Sequence, residues 1–197
     1  MLHYVLPLPI IYLGRFAMGG GQALGEYIYN EAEQLHRELD TRNPVELLGH
    51  IGADVIYSDK FSINGLKGFC TIQNRSKYVV INAKLSKHEK RIVAGHEAGH
   101  LILHTHEIKR RPHQTLSDCY LYGNVGGIEY EANMFAADFM IEDNDVLEYV
   151  RDEYMDYFKM ASALHVPPQL LDFKLRSMER RGHDVRPPVG LDSKFLK

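Results

Sequence analysis

From Gly25 to Leu39 the apolar residues Ile28, Ala32, Leu35 and Leu39 recur at helical spacing with charged residues between them. This pattern predicts an amphipathic helix. Asn43, with Pro44 after it and Glu46 at the third position, starts a second helix that stops near Gly49 to Gly52. Ala53 to Tyr57 predicts a strand. Leu66 to Gln73 and Tyr78 to Asn82 are β-rich runs joined by Asn74-Arg75-Ser76-Lys77, which predicts an antiparallel hairpin. Ser86-Lys87-His88-Glu89 has the spacing of a capping box, so a helix begins there and runs to about His104.

Thr105 to Gly127 reads as an irregular connection, and a strong helix follows from Ile128 to about Ile141. Beyond it the pattern predicts a helix from Asp145 to about Leu164, a break at Val166-Pro167-Pro168, and a last helix from Pro168 to Arg181. The fold class expected is α+β: a small, mostly antiparallel three-stranded sheet packed on the capped helix, with additional helices. The expected organisation is a main domain over 22–142, a helical C-terminal lobe over 143–186 and a flexible tail over 187–197. Tyr4 to Leu13 is apolar but short for a membrane span, is interrupted by Pro7 and Pro9, and lacks a preceding basic region. With Gly19-Gly20-Gly21 breaking the chain, residues 1–21 are expected to be a disordered extension, with Met18 the natural start.

Composition narrows the picture. A chain of 197 residues supports one good core, and 45% hydrophobic with 25% charged residues is ordinary for a soluble globular protein. A net charge of -3 gives no global attraction to nucleic acid or to an anionic membrane. Two cysteines, Cys70 and Cys119, make no C-x-x-C pair and no disulfide framework, which fits a reducing cytoplasm. Eleven histidines are many for this length, and several fall between His88 and His113, a first hint of a metal site.

The chemistry concentrates in His96-Glu97-Ala98-Gly99-His100, which lies inside the capped helix. Residues four apart on a helix project from one face, so His96 and His100 are positioned to present two imidazoles to one ion. Imidazole and carboxylate donors suit zinc, which in catalytic sites takes three protein ligands and keeps one position for water. Glu97 flanks that face as the expected general base. On the opposite face Ile92, Gly95, Gly99 and Leu103 line up. Two glycines inside a helix, each costing about 1 kcal/mol against alanine, ask for close packing on a neighbouring layer.

The third ligand is expected from the helix of Ile128 to Ile141, whose apolar stripe is Ala132, Phe135, Ala136 and Phe139. Glu131 borders that stripe and is the expected ligand, whereas Glu129 is expected to project nearly the other way. Asp138 is read as either an orienting partner for a histidine or a solvated aspartate. His104 lies on the same face as His96 and competes as a ligand, with a supporting or packing role preferred. Loop histidines His106 and His113 are expected outside the site. Tyr130 is one of several tyrosines that would suit an oxyanion donor.

Tyr78-Val79-Val80-Ile81-Asn82, Leu85-Ser86, Arg91 before His-Glu-Ala-Gly-His-Leu-Ile-Leu-His, and then Glu131-Ala132-Asn133-Met134-Phe135-Ala136-Ala137 together resemble the ImmA/IrrE family of metallopeptidases. The resemblance spans roughly 28–141, and 160–178 is similar to the helix-turn-helix-like segment that often follows in that family. Two departures stand out: no proline follows Met140-Ile141, and the connection before Glu129 carries His106, His113 and Cys119. The resemblance implies cleavage or inactivation of transcriptional repressors of helix-turn-helix type in bacteria and mobile elements.

The expected function is therefore zinc-dependent hydrolysis of a peptide bond in a protein substrate. Zinc sits on His96, His100 and Glu131, Glu97 is the base, and substrate lies extended along Tyr78 to Asn82. Two other readings stand beside it. One is a DNA-binding regulator using Lys174, Arg176, Arg180 and Arg181. The other is a zinc-binding interaction module without turnover.

Overall fold

Local chemistry starts the helices where expected in the computed structural model, which describes residues 22–110, 127–151 and 156–185. The expected N-terminal extension, His113, Cys119 and the C-terminal tail lie outside those residues. Helix α1 spans Gln22–Leu39 and α2 Pro44–His50. Asn43 Oδ1 accepts the Val45 N–H at 3.2 Å, capping α2. Strand β1 is Ala53–Ser58, β2 Gly68–Gln73 and β3 Ser76–Asn82. Asn74 and Arg75 both have positive φ, 49° and 70°, and Gln73 faces Ser76, the geometry of a two-residue hairpin turn. Helix α3 runs over Lys87–Leu103, opened by a reciprocal capping box: Ser86 Oγ accepts the Glu89 N–H at 3.2 Å and Glu89 Oε2 accepts the Ser86 N–H at 3.0 Å.

The remaining helices are α4 Thr105–Arg110, α5 Ile128–Met140, α6 Asp143–Val150, α7 Tyr157–Ala163 and α8 Pro168–Arg180. The stretch expected as one helix from Asp145 to Leu164 is thus divided. Asp156 starts α7 as its cap, accepting the Lys159 N–H at 2.9 Å. The connection expected to be irregular from Thr105 instead begins with α4. Among the described residues no helix is long and apolar enough to cross a membrane.

The α+β class holds, but the sheet is mixed rather than mostly antiparallel. Its order is β1-β3-β2, with β3 antiparallel to β2 and parallel to β1. The hairpin therefore docks by its second strand, and the chain between β1 and β2 must pass the end of β3. Asn82, buried at that end, holds the passage by donating from Nδ2 to the carbonyls of Ser62 at 2.8 Å and Leu66 at 3.1 Å. This order corrects one expectation. Tyr78 to Asn82 has neighbours on both sides, so its backbone cannot take up a substrate strand. Among the described residues, β1 and β2 are the edge strands, and of the two β2 is the one packed with α3.

Helix α3 packs on β2 and β3 through Val93 and on α5 through its glycines. Helix α5 is buried along nearly its whole length, Glu129 and Glu131 through Met140 included. Its far side is covered by α1 and α8. There Lys174, fully buried, lies 3.1 Å from Asp138 Oδ1 and 2.6 Å from Asp143 Oδ1, while Ser177 Oγ donates to Asp138 Oδ2 at 2.7 Å. Arg181 adds a paired contact to Asp143, and Arg176 pairs with Asp172. Asp138 is thus neither a histidine partner nor solvated; it anchors α8.

Candidate metal centre

His96 and His100 leave the same face of α3, as their spacing requires, and both are buried. Their Nε2 atoms stand 3.1 Å apart with the rings nearly perpendicular. The third group is Glu129. Its Oε2 lies 3.2 Å from His96 Nε2 and 3.4 Å from His100 Nε2. Among the described residues these three form the group of His, Cys, Asp and Glu side chains able to share one metal ion.

The expected positions of the two glutamates are therefore exchanged. Glu131 turns instead to His104, with Oε2 2.9 Å from His104 Nε2. The expectation rested on an apolar stripe with a polar face opposite. Because α5 is covered on all sides, both glutamates are buried and no such polar face exists. What selects Glu129 is the contact between helices. A Cβ built on Gly99 would stand 3.0 Å from Ala132 Cα and 3.0 Å from its carbonyl oxygen, and one on Gly95 would meet Met140 Sδ at 2.7 Å. The two glycines thus bring α5 against α3 along the line of Ala132, Ala136 and Met140, and Glu129 lies on that line one turn before Ala132.

The donor set fits a divalent metal on two counts. Three ligand atoms around a tetrahedral ion at ~2.0–2.1 Å are separated by about 3.3 Å, close to the 3.1, 3.2 and 3.4 Å found here. Second, His96 Nδ1 lies 2.9 Å from Asn133 Oδ1. An amide oxygen only accepts, so His96 carries its proton on Nδ1 and turns the Nε2 lone pair toward Glu129 and His100. A lone pair aimed at a carboxylate is a poor contact without a cation between them.

The electrostatics couple the three groups. Burial would raise the Glu129 carboxyl, but the His100 and His96 rings facing it outweigh that and hold the group down at about 2. It is an anion throughout the neutral range, as a ligand must be. Burial also opposes charge on His96, yet Glu129 and Glu97 keep that imidazole above its ordinary value. At His100 burial prevails and the value falls below the ordinary one. One carboxylate cannot hold both imidazoles charged.

Glu97 is fully buried beside this cluster. A methyl group on Gly68, the first residue of β2, would stand 3.8 Å from Glu97 Oε1. The start of the edge strand and the expected base therefore share one corner of the site. Asn133 is the functional residue that sequence reasoning passed over, although it sits in the run Glu131-Ala132-Asn133. Its spacing of four from Glu129 was the available signal.

The model of the IrrE N-terminal-like domain of peptidase family M78 matches residues 49–176. The chain belongs to this family. At the family level it is a metallopeptidase, which implies a metal, and the buried His96, His100 and Glu129 are a group that could hold one. Within M78 the matched span begins in α2 and ends in α8, so it takes in the sheet, the histidine helix and both glutamates. The chain is also 32% identical over 122 residues to "Uncharacterized immunity region protein 2" of Bacillus phage phi105, an alignment covering 62% of this chain and 73% of that one. No solved structure matches the chain.

The other sequence candidates of this M78 chain are resolved by position. His106 is exposed on α4. Tyr130 packs its ring on Phe173, with the Arg180 guanidinium over it, on the α8 side of α5. Cys70 is buried in β2.

Proposed function

We propose that this chain is a zinc-dependent endopeptidase acting on a protein substrate in the cytoplasm. The observation that carries the reading is the triangle of His96 Nε2, His100 Nε2 and Glu129 Oε2, whose edges match three corners of a tetrahedral site. When bound, zinc lowers the pKa of a water to about 7 and polarises the scissile carbonyl. Glu97, one residue from His96 and buried at the same corner, accepts a proton from the attacking water and returns it to the leaving amine. Asn133 holds the His96 ring in the tautomer that frees Nε2. An extended substrate segment lies along the edge of β2, entering at Gly68 beside Glu97.

The substrate we favour is a transcriptional repressor of helix-turn-helix type belonging to a phage, mobile element or stress regulon. The similarity to an immunity-region protein of a phage supports it. The four basic residues that motivate a DNA-binding role for α8 all have partners within the protein. Lys174 is buried on two aspartates, Arg181 is paired with Asp143, Arg176 with Asp172, and Arg180 covers Tyr130.

The test measures zinc content and cleavage of a repressor encoded beside this gene. Wild type should carry about one zinc per chain. Glu129→Gln should lose most of it, and chelation should abolish cleavage. Failure of the purified protein to take up micromolar zinc would sink the reading. Zinc retained in full by Glu129→Gln would reassign the ligand.

A further inference from the structure

Three histidines, not two, stand in a row on α3. His100 Nδ1 lies 3.2 Å from His104 Nδ1, and His104 Nε2 lies 2.9 Å from Glu131 Oε2. Every group is withdrawn from water: His100 and His104 are fully buried and Glu131 is 8% exposed. We propose that Glu131 and His104 are positioning residues that fix His100 in the tautomer presenting an Nε2 lone pair to the metal. The proposal rests on the metal-centre reading above.

The direction of each hydrogen bond follows from what each atom can do. A carboxylate only accepts, so the proton between Glu131 and His104 sits on His104 Nε2. A neutral imidazole carries one N–H, which leaves His104 Nδ1 as an acceptor. The two Nδ1 atoms need one proton between them, and only His100 can supply it. His100 is then protonated on Nδ1, and its Nε2 offers a lone pair toward His96 Nε2 and Glu129 Oε2. Reversing the chain would set a His104 lone pair against the Glu131 carboxylate at 2.9 Å, a contact that buried groups without water cannot relieve.

The two ligand histidines are therefore oriented by different chemistry. His96 is held by a neutral amide, Asn133. His100 is held by an anion acting through an intervening imidazole, which gives Glu131 a role two residues after Glu129 that is not ligation. A carboxylate behind a histidine raises its basicity as a ligand; here the effect is relayed by a second ring.

The experiment uses the full chain labelled with 15N-histidine. Long-range proton–nitrogen spectra of the zinc-loaded protein read which nitrogen of each ring carries the proton, and a chelator competition measures zinc affinity. The expected wild-type result is a proton on Nδ1 of His100 and on Nε2 of His104. His104→Leu removes the acceptor and should weaken zinc binding by about 10–100-fold, while His104→Gln, which keeps an acceptor oxygen, should recover part of the loss. A wild-type proton on His100 Nε2, or protons on both His104 nitrogens, would overturn the relay. So would His104→Leu binding zinc within about twofold of wild type. If Glu131→Gln loses zinc as completely as Glu129→Gln, Glu131 is a ligand and the relay is wrong. If wild type takes up no zinc, the metal-centre reading fails by itself, and the relay is then judged on His104, where a proton on Nδ1 in place of Nε2 would overturn it.

Discussion

Gly99 and Ala132 meet backbone to backbone: any Cβ at 99 would lie 3.0 Å from Ala132 Cα and 3.0 Å from Ala132 O. That contact sets the distance between α3, which carries His96 and His100, and α5, which carries Glu129. The neighbour is main chain and cannot swing away, so the glycine is fixed by the site it helps assemble.

Gly99→Ala should consequently act on stability and on metal affinity together. Overpacking typically costs about 1–3 kcal/mol, offset in part by the ~1 kcal/mol that alanine gains over glycine in a helix. The measurement is a denaturant melt with a zinc titration of the same variant. A variant as stable as wild type with unchanged affinity would show that the helices separate without disturbing Glu129.

Glu97→Gln separates base from ligand. Glu97 is not among the three converging donors, so zinc content should stay at the wild-type level. Cleavage should fall by about 100- to 10,000-fold, the usual range for loss of a general base. Zinc content and turnover measured on one preparation decide it; cleavage at the wild-type rate would remove Glu97 as the base, whereas zinc binding with no cleavage even by wild type would leave an interaction module as the better account.

Asn133→Leu removes the acceptor for the His96 ring proton and leaves the size of the side chain nearly unchanged. Zinc affinity should drop by about 10–100-fold. The protein should remain folded, because Asn133 bonds His96 and not the core beneath. Chelator competition reads the affinity, and a value equal to wild type would remove Asn133 from the site.

Asp143→Asn tests the anchor of α8 through pH. Burial works against the Asp143 carboxylate, but hydrogen bonds and charge from Arg181 and Lys174 hold its pKa well below the ordinary range. A depressed carboxyl contributes stability that is present above the unfolded value of about 4 and lost as pH falls through the folded one. The variant should thus be less stable by about 3 kcal/mol at pH ~7, and the gap to wild type should close as pH drops below ~4. Asp138 beside it, pushed up mainly by burial, works in the opposite sense and is common to both proteins. Denaturant melts across that range provide the check; a gap constant with pH would mean that the ion pairs are not its source.

What was legible in the sequence is what a few neighbouring residues decide among themselves. The Ser86–Glu89 capping box, the Asn43-Pro44 start, the hairpin with its turn somewhere in Asn74 to Lys77, and the i, i+4 pair of His96 and His100 depend on contacts within one helical turn or one hairpin. Even the need for a close neighbour at Gly95 and Gly99 was readable, since two glycines inside a helix require a reason. What tertiary structure alone decided depends on which surfaces meet. The parallel pairing of β1 with β3 joins segments with a whole strand between them. Lys174 became an internal cation because Asp138 and Asp143 come to it from other helices. The choice between Glu129 and Glu131 belongs to the same class. Two residues apart on a helix point about 200° apart, so one sequence pattern serves either assignment. A helix buried on every side has no polar face to settle the register, and only its contact with Gly95 and Gly99 turns Glu129 to the histidine pair and Glu131 to His104.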